Sequence, residues 1–192
     1  IFDGSKETFD ESDSPNPQGI YAKSKFFAEK FVQENSRVYL ICRAGWMMGG
    51  GLKKDKKFIS KIIKQIESGS KEIFVVDDKL GTPTYTYDFA YNTKQLLKFK
   101  KWGLYNMVCQ NKTSRYKVAK EVIKILNLEE EIKVTKVKSE YFSKTYFAPR
   151  PSSEILINKN LAKIEMDMMR SWKITLKEYL NNYFKKIVRS SK

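Results

Sequence analysis

The chain has 192 residues, 41% hydrophobic and 31% charged; 37 lysines and arginines outnumber 22 aspartates and glutamates, giving a formal net charge of +15, and histidine is absent. Such a length buries the core of one domain or one and a half, and no apolar run approaches the roughly 20 residues that span a bilayer. Without histidine, His-based triads and His-ligated metal sites are excluded, and two cysteines cannot build a structural zinc site, so acid–base chemistry falls to Tyr, Lys, Asp, Glu or Cys.

Ile1-Phe2-Asp3-Gly4 reads as the end of a strand and a turn, and its apolar start looks like the inside of a fold. Ser5 to Asn16 is acidic, polar and Pro-bearing, a loop that either flanks a site or only connects. A helix is predicted over 17–35, with Phe27, Ala28, Phe31 and Val32 on its apolar side. On it Tyr21 and Lys25 are one turn apart and share a face. An ammonium beside a phenol favours the phenolate, which makes a phenol a usable proton donor or acceptor near neutral pH. The spacing alone fits a solvated helix face equally, and it recurs at Tyr116 and Lys120. Tyr21 differs in its setting: a Pro/Gly turn before it, small residues at Ala22 and Ser24, Ala28-Glu29 after it. A strand follows at 37–43, and its near-continuous apolar run predicts burial on both faces.

Arg43-Ala44-Gly45-Trp46-Met47-Met48-Gly49-Gly50-Gly51 comes next. Three glycines after a strand suggest a phosphate loop, but the Gly-x-Gly-x-x-Gly spacing and a helix directly after it are missing. The stretch reads as a mobile loop at the C-terminal edge of a sheet. Phe58, Ile59, Ile62, Ile63 and Ile66 form a helical stripe over Phe58 to Glu67, closed by Ser68-Gly69-Ser70. Ile73 to Val76 is a strand, and Asp77 to Thr84 a turn and return. Asp88 caps a helix to about Phe99, with Leu96 and Leu97 inward, and Leu104 to Val108 is a buried strand. Ser114 to Leu126 is a helix capped by Thr113 or Ser114; Ile132 to Val137 alternates as a strand with one wet face. Tyr141 to Ser153 is an aromatic loop ending in Ala148-Pro149-Arg150-Pro151. Asn158 to Ile164 is a short helix, and Ile174 to Val188 is the last, with Leu176, Leu180, Tyr183 and Phe184 inward. Cys42 and Cys109 lie in apolar runs and read as reduced buried thiols.

Five stretches in order resemble the extended short-chain dehydrogenases/reductases, and within them the dTDP-4-dehydrorhamnose reductase group. They are Ile1-Phe2-Asp3-Gly4, Pro17 to Glu29, Arg43-Ala44-Gly45-Trp46, Gly81-Thr82-Pro83-Thr84 and Arg150-Pro151. The resemblance implies an α/β fold: the C-terminal part of a Rossmann-like parallel sheet with a smaller α+β substrate-binding domain. It divides the chain into 1–46, the end of the Rossmann-like domain with the catalytic helix; 47–86, a substrate-binding segment; 87–108, a return to the sheet; and 109–192, the substrate-binding domain. It implies NADPH- or NADH-dependent reduction of the C4 ketone of a dTDP-4-keto-6-deoxyhexose, in a cytoplasmic enzyme of dTDP-rhamnose biosynthesis for cell-surface polysaccharide.

On that resemblance Tyr21 would protonate the developing alkoxide, and Lys25 would tune Tyr21 and bond the cofactor ribose. Trp46 would pack on the sugar, with Thr84 and Arg150 as further substrate contacts. From the residues alone, Trp46 is equally a core residue and Arg150 equally a loop anchor. Lys79 stands where the family usually has Gln. The family's Gly-rich strand–turn–helix and its catalytic Ser or Thr have no match, so the chain looks like the C-terminal two-thirds of such an enzyme and is expected to be inactive alone. A nucleotide-sugar substrate and a homodimer are the expected partners, with no metal, membrane or nucleic acid; the lysine surplus is spread over the helices, and arginine, favoured for base readout, is scarce. The alternatives are an epimerase or dehydratase of the same superfamily, a non-catalytic regulatory homologue of methionine adenosyltransferase-subunit type, and a basic nucleic-acid-binding protein.

Overall fold

The computed structural model describes residues 1–144 and 151–184. Its strands are β1 (Thr8–Phe9), β2 (Leu40–Arg43), β3 (Trp46–Met48), β4 (Glu72–Val76), β5 (Leu80–Gly81), β6 (Pro83–Tyr85), β7 (Gly103–Asn106), β8 (Thr113–Ser114), β9 (Lys133–Val137) and β10 (Ser153–Leu156). Its helices are α1 (Gly19–Asn35), α2 (Gly51–Lys54), α3 (Phe58–Glu67), α4 (Thr86–Lys98), α5 (Arg115–Ile125), α6 (Lys159–Lys163) and α7 (Trp172–Tyr183). β2 pairs with β7, β3 with β6, β4 with β9, and β10 with both β1 and β5, all parallel; β5 and β8 pair antiparallel. Parallel partners need crossover connections, which here contain helices. The result is the α/β class with dominant parallel pairing that the sequence implies.

β2 and β3 are separated by Ala44-Gly45, where the chain shifts from one partner to the next. The amide of Met107 donates to Arg43 O at 2.8 Å, and the amide of Trp46 donates to Thr82 O at 3.0 Å. Gly45 lies so close to this return that an added Cβ would sit 2.1 Å from Thr82 O, inside any tolerable contact. Only glycine lets the two backbones approach like this.

Two buried apolar clusters hold the fold. One joins Ile59, Ile62 and Ile63 of α3, Ile73 and Val75 of β4, Val118 and Val122 of α5, and Leu176, Tyr179 and Leu180 of α7. The α3 and α5 stripes are thus the packed faces that helical periodicity predicts. Ser114 is the N-cap of α5, its hydroxyl accepting from the Lys117 amide at 3.2 Å. The second cluster joins Leu96, Tyr105, Met107, Leu161 and Met169.

Several expectations are corrected. The segment 44–51, expected as a loop, contains β3 and ends where the short α2 begins, with Ala44-Gly45 and Gly49-Gly50 as the connections. β2 is half-buried along its length rather than enclosed on both faces. α1 begins at Gly19 and has no buried residue; Phe27 and Phe31 are 62% and 66% exposed. α4 begins at Thr86, so Asp88 lies inside its first turn, and Leu97 and Tyr183 are exposed. α7 begins at Trp172. Both cysteines are free, Cys109 buried and Cys42 half-buried. Among the described residues no helix is long and apolar enough to cross a membrane.

The acidic segment before α1 is tied down by its own carboxylates. Asp3 is held at about 2 by the Ser5 side chain first, then by the Ser5 amide, which donates to it at 2.8 Å, and by Asn16 Nδ2, at 2.7 Å. Asp10 accepts first from the Ser12 hydroxyl at 2.5 Å, then from Lys159 Nζ at 3.0 Å and the Ser12 amide at 2.7 Å, and these bonds outweigh its slight burial and hold it at about 2. An unfolded aspartate titrates near about 3.9. Both folded values are depressed, so the stabilisation is complete above the unfolded value and is lost as pH falls through the folded one. Amide exchange over residues 1–18, corrected for intrinsic rates, should accelerate between about pH 4 and about pH 2. Unchanged protection across that window would contradict the assignment.

Candidate active site

α1 presents its chemistry outward. Gln18 stands before the helix in extended conformation without a side-chain cap bond, and Gly19 enters at φ 77°. Tyr21, two residues further on, is 74% exposed. One turn later Lys25 places its Nζ 5.5 Å from the centre of the Tyr21 ring. Among the described residues Lys25 makes no ion pair, so its ammonium is committed to nothing but this aromatic face. Tyr21 and Lys25 thus lie on one exposed face of α1, with the ammonium over the ring.

The other Tyr-x-x-x-Lys spacing is not such a pair. Tyr116 packs half-buried against the larger core, and the cation over its ring is Lys136 at 4.8 Å, from β9, rather than Lys120.

No residue of α1 is buried, and one ion pair ties it to the end of β2. Glu29 accepts from Arg43 Nε at 3.0 and 3.1 Å and from Nη2 at 2.7 Å, with side-chain exposures of 14% and 9%. The fork is bidentate, the strong form of this contact. The Arg43 guanidinium also lies 5.3 Å from the centre of the Phe2 ring, and Phe2 stacks on Phe9 at 4.5 Å. Arg43 ends β2, three residues before Trp46, so one side chain links α1, β2 and the first nine residues.

Trp46 is half-buried, which decides between its two readings in favour of neither alone: part of the indole is packed and part is open. Its Nε1 donates to Glu154 Oε2 at 2.8 Å, and the Arg115 guanidinium lies 4.6 Å from its ring centre. Gly81 backs the ring so tightly that a Cβ there would meet Cε2 and Cζ2 at 2.4 Å. Thr84, expected to touch substrate, is fully buried instead. Its Oγ1 accepts from the Gly45 amide at 2.9 Å. Thr84 is a strut behind the Gly45–Trp46 turn, on a strand, β6, whose three residues are all buried. Arg150 lies outside the described residues.

The return leading to Gly81 is held by two aspartates. Ser114 Oγ donates to Asp77 at 2.8 Å and Lys136 pairs with it at 3.2 Å; Ser139 donates to Asp78 from its amide at 3.0 Å and its hydroxyl at 2.7 Å. Partial burial pushes both carboxyls up, but these bonds outweigh it and leave both below the usual carboxylate range. A cleft of about 390 Å³ opens beside them, lined by Gly4, Leu80 and Ser152 among others. Among the described residues no cluster of His, Cys, Asp and Glu could hold a metal ion.

Arg43, Glu29, Arg115 and Glu154 were not singled out by sequence reasoning. Two signals were available: an arginine closing an apolar strand run demands a partner, and Glu29 falls one turn after Lys25 on the same stripe.

The parallel pairing with helical crossovers defines a Rossmann-like α/β protein. The RmlD substrate binding domain profile matches residues 1–185, and the chain belongs to that family. It is 29% identical over 181 residues to the spore coat polysaccharide biosynthesis protein SpsK of Bacillus subtilis, covering 94% of this chain and 60% of that protein. A dTDP-4-dehydrorhamnose reductase from Clostridium acetobutylicum superposes with a TM-score of 0.86 at 33% identity, over 95% of this chain and 62% of that one. A dTDP-4-dehydrorhamnose reductase from Bacillus anthracis in complex with NADP gives 0.86 at 28% identity, over 95% and 62%. The chain thus spans about three fifths of the length of these relatives.

Proposed function

We propose that the chain carries the proton-donating and sugar-facing parts of an NADPH-dependent reductase acting on a dTDP-4-dehydro-6-deoxyhexose such as dTDP-4-dehydrorhamnose. The observation that carries this reading is the solvent-open Tyr21–Lys25 pair, 5.5 Å from ammonium to ring centre, with Lys25 otherwise unpaired among the described residues. The names of the Clostridium and Bacillus anthracis reductases support the substrate class, and the NADP of the latter supports the cofactor.

An exposed phenol and an uncommitted ammonium on one helix face fit the ribose and nicotinamide end of a dinucleotide. NADPH, when bound, supplies the hydride for the sugar's carbonyl carbon. Tyr21 gives its phenolic proton to the carbonyl oxygen as that oxygen becomes an alkoxide, and Lys25 stabilises the phenolate left behind. Trp46, with its Nε1 fixed by Glu154, offers a flat apolar face to a sugar ring. Arg150 is proposed as a phosphate contact through its guanidinium fork. The reading is tested by the rate of NADPH oxidation by the full-length protein on adding dTDP-4-dehydrorhamnose. Oxidation that needs the ketone is expected; oxidation indifferent to it would refute the reading.

A further inference from the structure

Lys25 faces a competitor on its own helix. Glu29 is four residues on, the distance at which helical side chains meet. That such pairs form on α1 is shown one turn further along: Lys30 Nζ reaches Glu34 Oε1 at 3.6 Å, with lysine first and glutamate four later, the same order as Lys25 and Glu29. Yet Glu29 turns away from Lys25. Both of its oxygens are taken by Arg43 at 2.7 to 3.1 Å, in a setting far drier than the Lys30–Glu34 pair, whose side chains are 58% and 61% exposed.

We infer that Arg43 is a positioning residue: by sequestering Glu29 it keeps the Lys25 ammonium free for Tyr21 and the ligand. The inference rests on the Tyr21–Lys25 reading above. A carboxylate bonded to Lys25 would draw its Nζ towards the C-terminal end of the helix, away from the Tyr21 ring, and would neutralise the charge that stabilises the phenolate. The guanidinium fork holds both carboxylate oxygens at once, a geometry that Lys25 as a point charge cannot match. Glu29 is then silent so long as Arg43 is present.

Three variants of the full-length protein separate this from a simple structural tie. Arg43→Met should release Glu29 onto Lys25 and lower kcat about tenfold or more, with KM for the nucleotide sugar changed less than about threefold. Glu29→Gln should stay within about threefold of the parent kcat, and Arg43→Met/Glu29→Gln should recover most of the loss, because no carboxylate is left to capture Lys25. Should Arg43→Met fail to fold, Arg43→Lys, which keeps the charge but loses the fork, should show a smaller loss that Glu29→Gln again relieves. Equal losses in all variants, or a double variant no better than Arg43→Met, would overturn the inference. Acylation of Lys25 by an amine reagent, read by mass spectrometry, needs no activity. It should slow in Arg43→Met and return in the double variant, whether or not Tyr21 proves to be the proton donor. Unchanged labelling in Arg43→Met would also overturn the inference, whereas a fully active Tyr21→Phe would count only against the reductase reading.

Discussion

Tyr21→Phe is expected to cut kcat by about 10²–10⁴-fold, the usual worth of a positioned proton donor. The side chain is 74% exposed, so losing the hydroxyl removes no packing and leaves no buried group unpaired. Thermal stability should therefore be unchanged and NADPH affinity nearly so, with the loss confined to the chemical step. Tyr116→Phe is the internal control. It shares the Tyr-x-x-x-Lys spacing, but its ring packs against the core and meets Lys136. It should leave kcat unchanged. Steady-state kinetics on the two variants decide the matter. A Tyr21→Phe enzyme of near-parental turnover, or an inactive Tyr116→Phe enzyme, would place the chemistry on the wrong helix.

The second large effect is on stability. Asp88→Ala should cost about 2 kcal/mol, a drop in Tm of about 4–8 °C for a chain of this size. Asp88 accepts from Arg170 Nε at 3.0 and 3.2 Å, from Nη2 at 2.6 Å and from the Arg170 amide at 3.3 Å, while Arg170 Nη1 donates to Glu178 at 2.6 Å. The network staples α4 to α7. Asp88 is 4% exposed but the Arg170 side chain 38%, so water repairs part of the loss, and the figure stays below the 3–5 kcal/mol of a fully buried pair broken on one side. Calorimetry measures it directly; a Tm within a degree of the parent would show that the staple does not bear on folding.

Asp88 also marks where sequence legibility ends. An aspartate before a periodic run reads as an N-cap, yet the helix starts two residues earlier and its buried line is Asp88, Asn92 and Leu96. Two polar residues occupy the inward face because partners distant in sequence satisfy them: Arg170 for Asp88, and the Met168 amide, at 3.4 Å, for Asn92. That turned the helix phase and put Leu97 outside, where hydrophobicity alone had it inside. α3 and α5 were legible because their apolar stripes meet a core. Phe27 and Phe31 carry the same kind of signal but meet no core among the described residues, and periodicity cannot say what will cover a face.

The candidate site divides in the same way. The Tyr21–Lys25 pair was readable because it is local, a matter of helical spacing and a turn before it. The Glu29–Arg43 fork, the Trp46–Glu154 bond and the Gly81 contact join residues 14, 108 and 35 positions apart, and only the folded chain brings them together. Thr84 shows the converse: a residue in a family-like motif faces inward because its strand is covered.

The central claim is hydride delivery to a sugar ketone, and isotope transfer tests it most directly. The full-length protein would be given NADPH deuterated at the transferable position together with dTDP-4-dehydrorhamnose, and the product read by NMR and mass spectrometry. One deuterium at C4 of the sugar for each NADP formed is the predicted result. An unlabelled product, with the cofactor returned in the redox state in which it was supplied, would contradict the account: isomeric with its substrate it would mark an epimerase, lighter by one water a dehydratase.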